Sequence, residues 1–366
     1  MSATVSASPK KASRVNGRTV TLVIGIVVIV ALVVYYFMRP VQATAVYAST
    51  LRQSTPLVLG ALCGLICERS GIINIGIEGQ MLMAAFLAFI ANVYLGQVGW
   101  FPQPINLVIA IIVGILSGGL MGLFLGWMSI GLKMDQIIGG TVINGLAVGL
   151  TSFFYVAGLT TLGKLQAINV SGFLYSIPGF GPWLEGCAGE ACGISTQIVK
   201  MLDNAPLTYL TIILILAVQF ALFRTVWGLR TRSVGEHPSA ADTVGIAVNK
   251  MRYLNVALAG CFAGLAGAYL TLEAVGSFER NMVNGRGFVA LAVMLFGKRT
   301  PLGSWGAALL FGFASAMQTQ LQFSGTLNIP HQFIGMLPYV LTILVLAGFV
   351  GRTRDPKALG QVYETE

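Results

Sequence analysis

Apolar runs of about 20 residues recur along the chain, and no other feature restricts its fold so strongly. Candidate spans are Val20 to Met38, Pro56 to Cys67 extended upstream by Ala45 to Leu51, Ile75 to Leu95, Ile105 to Met128 and Ile137 to Ala157. Leu207 to Phe223, Leu254 to Leu272, the shorter Phe288 to Phe296, Trp305 to Leu321 and Phe333 to Val350 follow. With 55% hydrophobic residues, 10% charged residues and a mean hydropathy of +0.80, the chain is too apolar for an ordinary water-soluble domain. The expected fold is therefore all-α, a polytopic membrane helix bundle of about ten transmembrane segments.

Residues 1–19 read as a disordered cytoplasmic tail, rich in Ser and Ala and carrying Lys10, Lys11, Arg14 and Arg18. Ala43-Thr44-Ala45 resembles a signal-peptidase site, but the preceding apolar run is longer than a signal h-region, which predicts an uncleaved anchor with its N-terminus inside. Alternating from there puts about 16 of the 22 Lys and Arg in the cytoplasm, including Arg69, Lys133, Lys298, Arg299 and Lys357. The net charge of +9 is thus explained by membrane topology, with no need for a nucleic-acid partner. Residues 20–350 are expected to form the transmembrane domain and 351–366 a cytoplasmic C-terminal tail. An outer loop, 158–204, and an inner loop, 224–252, interrupt the spans.

The outer loop carries "CAGEAC", and Cys187 and Cys192 would face an oxidising space, where they either pair or stay free thiols. Cys63, Cys67 and Cys261 fall within spans as small packing residues. Five cysteines in no metal-ligand spacing and two histidines, His237 and His331, imply no metal and no cofactor bound by this chain. Gly114, Gly118, Gly122 and Gly126 recur every fourth residue, and Gly260 and Gly264 repeat the pattern, which predicts close backbone approach between helices.

"ERSGIINIGIEG", Glu68 to Gly79, places three charges, an asparagine and three glycines between two apolar runs. Such a stretch reads as a broken or re-entrant helix pair near 68–79, since non-helical backbone at membrane depth must be covered by protein or line a cavity. On a helix starting near Asn74, Asn74 and Glu78 would share one face. They serve either as polar points beside a path or as structure, with Asn74 capping a helix and Glu78 bonding a neighbour. Glu68 and Arg69 are expected to form interfacial salt links. In the inner loop, Pro238-Ser239-Ala240-Ala241-Asp242 opens a short helix and Gly245 stops it. Its own face is small and neutral between basic flanks, which suits docking another protein better than gripping lipid headgroups.

Three segments in order, "ERSGIINIGIEGQML", "GLRTRSVGEHPSAADTVGIAVNKMRYLNVALAGCFAGLAGAYL" and "GRGFVALAVMLFGKRTPLG", resemble the membrane subunits of ABC importers in the branched-chain amino acid and simple-sugar permease superfamily. Within it the chain is most similar to the nucleoside branch, from about Leu51 to the C-terminus. It departs at Gln80, at His237, at Lys298-Arg299-Thr300 and in its long outer loop.

The resemblance implies a type II-like importer in the cytoplasmic membrane, with both termini cytoplasmic. Its partners would be an ATPase carrying ATP and Mg, a second permease that is often non-identical, with a homodimer as the alternative, an extracytoplasmic substrate-binding lipoprotein and a nucleoside. Gly235, Glu236, Pro238, Ala240, Ala241, Asp242, Gly245 and Ile246 would couple to the ATPase. Asn74, Glu78 and Asn144 are assigned to the translocation path. A simple-sugar permease of the same superfamily is one alternative, and a proton-coupled carrier using Glu78 is another. No phosphate-loop motif and no catalytic constellation occurs in the sequence, so the chain reads as a transport subunit without hydrolytic activity of its own.

Overall fold

The computed structural model describes residues 34–155, 204–324, 333, 335, 336, 340 and 355–364. The chain divides into two units, Met1–Ala45 and Val46–Glu366. Among the described residues the first contributes helical residues 34–38 and the opening turns of a long helix. The second holds the rest of that helix and every element after it. All its regular structure is helical among the described residues: α1 (Pro40–Arg69), α2 (Ile77–Val98), α3 (Gln103–Gly126), α4 (Gln136–Phe154), α5 (Pro206–Arg224), α6 (Val226–Glu236), α7 (Pro238–Thr243), α8 (Val248–Tyr269), α9 (Arg286–Phe296) and α10 (Pro301–Ser324). Wider π-helical turns, Trp127–Gly131 and Leu270–Val275, extend α3 and α8.

Among the described residues, six helical segments are long and apolar enough to cross a membrane: Gln42–Arg69, Ile77–Val98, Pro104–Gly131, Gln136–Phe154, Pro206–Arg224 and Val248–Val275. Many of their large apolar side chains are exposed, among them Leu116, Leu120, Phe153, Ile213 and Phe220, as lipid-facing positions require. The chain is thus a multi-pass membrane helix bundle. The expected Val20 to Met38 span lies outside the described residues up to position 33, and Phe333 to Val350 does so except at four positions. Cys187 and Cys192 also fall outside the described residues.

Pro56 shows how a span absorbs a residue that should interrupt it. Proline lacks an N–H, so the carbonyl four residues back, that of Arg52, loses its helical partner. The Tyr269 hydroxyl donates to that carbonyl at 3.1 Å. Helix α1 therefore runs through Pro56 as one continuous helix rather than as a short span with an upstream extension.

Packing centres on α8, which lies against α3 and α2. The glycine stripes meet as their spacing predicts: a Cβ placed on Gly118 would fall 2.4 Å from the Gly260 oxygen and 2.4 Å from the Gly264 Cα. Two backbones touch there with no side chain between them, so dispersion and close peptide contacts replace the hydrophobic drive that lipid cannot supply. The inner loop is mostly helix, because α6 starts two residues after α5. Thr225 caps it, accepting from the Gly228 N–H at 3.3 Å while donating to the Ala221 carbonyl at 2.6 Å.

Gly118→Leu should force α3 and α8 apart at a cost of roughly 3 kcal/mol or more. Gly145→Ala, where an added Cβ would meet nothing within 4 Å, should be neutral or better. Thermal unfolding in detergent checks this: a large loss for the first and none for the second is expected, and equal melting would refute the backbone contact.

Candidate functional site

Two interruptions organise the interior. The first, residues 70–76, joins α1 to α2. Gly71 adopts φ +88°, a left-handed turn that glycine enters without a Cβ clash. The freed backbone groups find partners on α4. The Gln136 side chain accepts from the Ile73 N–H at 2.7 Å, and Asn144 accepts from the Gly79 N–H at 2.7 Å while donating to the Ile75 carbonyl at 3.1 Å. Asn144 thus mimics a strand-like pairing with both ends of its amide.

Asn74 and Glu78 do not share a helical face. Helix α2 begins only at Ile77, with Gly76 as its N-cap and no side chain bonding there, so Asn74 is not a cap and sits in extended chain before the helix. Three glycines within nine residues delay the start of the helix beyond the position expected from the apolar pattern alone. Asn74, 1% exposed, turns toward α1 and donates to the Gln80 side-chain oxygen at 3.2 Å and toward the Cys63 and Cys67 sulfurs at 3.4 and 3.7 Å. Glu78, 6% exposed, turns the other way.

The carboxylate of Glu78 reaches the second interruption, between Val275 and Arg286, where Asn281, Asn284 and Gly285 take positive φ. It accepts from the Gly285 N–H at 2.7 Å and the Gly287 N–H at 2.6 Å. Those are orphan donors at the N-terminus of α9, where a carboxylate is favoured by both hydrogen bonding and the helix dipole. A Cβ on Gly287 would lie 2.6 Å from the Glu78 Cα, so only glycine allows the carboxylate's own backbone this close. Glu78 ties the two interruptions together, and with both of its oxygens engaged it is built into the frame.

At one end of the bundle, α7 spans the six residues Pro238–Thr243, and Gly245 follows with φ +83°. Ala240, Thr243 and Val244 are exposed, Val244 at 74%, whereas Ala241 at 3% packs between Val234 and Val248. Glu236 and Gly245 are exposed, and Pro238, Asp242 and Ile246 are half-buried. Gly235 is buried: a Cβ there would fall 2.3 Å from the Arg69 carbonyl. Of the eight coupling residues expected from sequence, Gly235 and Ala241 thus face the protein's own interior.

Residues 355–364 wrap this end, an arrangement the sequence did not suggest for a terminal tail. The Ala358 N–H donates to the Gly235 carbonyl at 3.0 Å, and the Gly360 N–H donates to the Gly71 carbonyl at 3.0 Å. The Tyr363 hydroxyl donates to Asp242 at 2.8 Å, and the Arg252 guanidinium, 2% exposed, donates to the Gln361 carbonyl at 3.0 Å. Arg299 bridges Glu68 and Asp355, while Lys133 pairs with Glu364. Burial works to lower the pKa of Arg299, but the ion pair with Glu68, seconded by Asp355, outweighs it and raises the value. Among the described residues Arg69 forms no salt link of the kind expected; its guanidinium donates to the Arg299 carbonyl at 2.7 Å and lies 5.8 Å from the Phe223 ring centre. Among the described residues no group of three or more His, Cys, Asp or Glu could hold a metal ion.

This architecture agrees with the comparisons to known proteins. Residues 46–346 match the family described as branched-chain amino acid transport system / permease component, and the chain belongs to that family. It is 38% identical to the guanosine ABC transporter permease protein NupQ of Bacillus subtilis, over 88% of this chain and 95% of that one. It is 35% identical to the nucleoside ABC transporter permease protein NupC of Lactococcus lactis, over 87% of this chain and 96% of that one. A Haloferax volcanii protein provisionally named a glucose ABC transporter permease is 32% identical, over 88% and 98% of the respective chains. No solved structure matches the chain. These relatives are transport components rather than enzymes.

Asn144→Leu should leave the Gly79 N–H and the Ile75 carbonyl buried without partners, costing about 1–3 kcal/mol for each. The expected result is a marked fall in detergent melting temperature and in the folded fraction. Thr141→Ala, on the exposed side of the same helix, should melt like the parent protein.

Proposed function

We propose that the chain is the permease subunit of an ATP-binding cassette importer that moves nucleosides across the cytoplasmic membrane by alternating access. The observation that carries this reading is the near full-length match, at 38% and 35% identity, to two permeases named for guanosine and nucleoside transport. A glucose-related name at 32% identity leaves the sugar alternative less favoured. In this reading the partners are an ABC ATPase, which binds ATP and Mg, a second and non-identical permease, and an extracytoplasmic substrate-binding lipoprotein.

The transmembrane domain is residues 20–350, type II-like with about ten spans, preceded by the disordered tail 1–19 and followed by the cytoplasmic segment 351–366. Cys187 and Cys192 belong to an outer loop. Both termini are cytoplasmic. Support for that orientation comes from the end carrying α7, where Arg69, Lys133, Arg252, Arg299 and Lys357 gather, as the positive-inside rule favours.

Helix α7 is the coupling element. Exposed Ala240 and Val244 offer the contact, with Glu236, Pro238, Asp242, Gly245 and Ile246 around them, and Gly235 and Ala241 hold the helix from behind. Asn74, Glu78 and Asn144 act on the path by fixing its walls rather than by touching cargo. A charge-free cargo suits this interior: tight capture falls to the binding protein, and the permease needs only a weak polar lining.

Uptake of radiolabelled uridine and guanosine, measured with an active and a hydrolysis-dead ATPase and with ribose and leucine as competitors, tests the function. Entry should require the active ATPase and ignore both competitors; uptake blocked by ribose would move the chain to the sugar branch. For the coupling face, Val244→Glu should cut nucleoside moved per ATP hydrolysed by about tenfold, the equivalent of 1.4 kcal/mol in coupling, with normal membrane levels. Unchanged stoichiometry would remove α7 from the interface. Ala241→Arg is the wrong probe, because it would first disrupt the packing of Val234 and Val248.

A further inference from the structure

A cavity of about 270 Å³ opens between α1, the turn before α9, and α10, close to the roughly 300–1,000 Å³ usual for small-molecule sites. Gln53 comes from α1, Asn284 and Arg286 from the turn, and Phe311, Ser315 and Gln318 from α10. On α10, Ser315 and Gln318 are three residues apart and so share one face. Gln53 and Gln318 are half-buried, and among the described residues neither side-chain amide has a hydrogen-bond partner in the protein. Two unspent amides facing one cavity inside an apolar bundle are free to hydrogen-bond a polar solute that enters it.

The lining also says what kind of visitor. Its one cation among the described residues, Arg286, donates to the Met282 carbonyl at 3.1 Å and stands within electrostatic reach of the Glu78 carboxylate, which offsets part of its charge. Among the described residues no carboxylate lines the cavity, which leaves an amino group without a counter-charge. Neither an anion nor a zwitterion fits that balance. An uncharged solute with both donors and acceptors does, because each glutamine amide offers one of either kind. Phe311 and Leu57 add an apolar wall suited to the flat face of a base.

We propose that this cavity is the site where the permease holds a nucleoside in transit, with Gln53 and Gln318 hydrogen-bonding it and Ser315 at its edge. The proposal rests on the nucleoside-import reading. Glu78 then has a defined part: by binding the N–H groups of Gly285 and Gly287 it positions the turn that carries Asn284 and Arg286 into the cavity wall.

The test uses the complete transporter in membranes, with radiolabelled guanosine and uridine as probes. At equal membrane levels, Gln53→Leu and Gln318→Leu should each lower uptake about tenfold, the loss expected when one hydrogen bond of about 1.4 kcal/mol is removed. Gln318→Asn should restore part of it and change the guanosine-to-uridine ratio. Independently of transport, Ser315→Cys should react with a small thiol reagent beyond the parent's background, and either nucleoside should slow that reaction. Should a glutamine variant fail to reach the membrane, the Ser315→Cys protection decides alone. Parent-like uptake and substrate ratio in both leucine variants, with labelling indifferent to nucleosides, would overturn the site while leaving nucleoside import standing. Failure of the parent transporter to carry either nucleoside would overturn the import reading, and the proposal with it.

Discussion

Everything in this bundle depends on satisfying backbone groups where the helices stop. A continuous helix pairs its own amides, but a helix broken at membrane depth exposes several N–H and C=O groups that lipid cannot solvate. Here the answer is local and uses few residues. Gln136 and Asn144 on α4 supply side-chain amides to the 70–76 interruption. Glu78 supplies a carboxylate to the interruption before α9. Because Glu78 lies in the first helical turn after the first break and bonds the second, the two irregular segments cannot shift independently. That linkage lets irregular chain line a cavity without unravelling.

Close glycine contact does the complementary work. Helices in lipid gain little from burying leucine against leucine, so α3 and α8 associate by bringing peptide groups into direct contact at Gly118, Gly260 and Gly264. Larger side chains then turn outward to lipid, and polar side chains gather where backbones part. Tyr269 illustrates the economy: a buried hydroxyl on α8 satisfies the carbonyl that Pro56 leaves open on α1, so one side chain both repairs a helix and fixes its neighbour.

Much of this was legible in the sequence, for stated reasons. Apolar run length located the six membrane-length helices found among the described residues, the four-residue glycine period located the α3 and α8 contact, and Pro238 with Gly245 bracketed the short helix within about two residues. The pairing of Asn74 with Glu78 on one face was not legible correctly, because it depends on where α2 starts, and Gly76 and the αL turn at Gly71 delay that start. Nor could one chain show that Glu68 seeks Arg299 rather than a nearer charge, since the pair is 231 residues apart in sequence. The polar face of α10 was visible as Ser315, Gln318, Thr319 and Gln322 at helical spacing, but it was hidden inside a run read only for its hydrophobicity. The wrap of residues 355–364 left no periodic trace at all, because its backbone bonds to Gly235 and Gly71 and its side-chain bonds to Asp242, Arg299 and Lys133 all reach partners far away in sequence.

That wrap changes how a push on α7 would be felt. Ala241 seats the helix on Val234 and Val248, and Asp242 holds Tyr363. Within the same short segment the Ala358 N–H binds the Gly235 carbonyl and the Gly360 N–H binds the Gly71 carbonyl, at the mouth of the first interruption. Displacing α7 therefore requires either breaking the Tyr363 bond, at about 1 kcal/mol, or moving the segment and with it the Gly71 turn. The second course keeps the bond from the Arg252 guanidinium to the Gln361 carbonyl, and losing that buried cation's partner would cost more than losing one hydroxyl bond. Motion as a unit is thus the cheaper deformation. It leads from the exposed face of α7 to the break that Asn144 and Glu78 hold, and through Glu78 to the turn at the cavity.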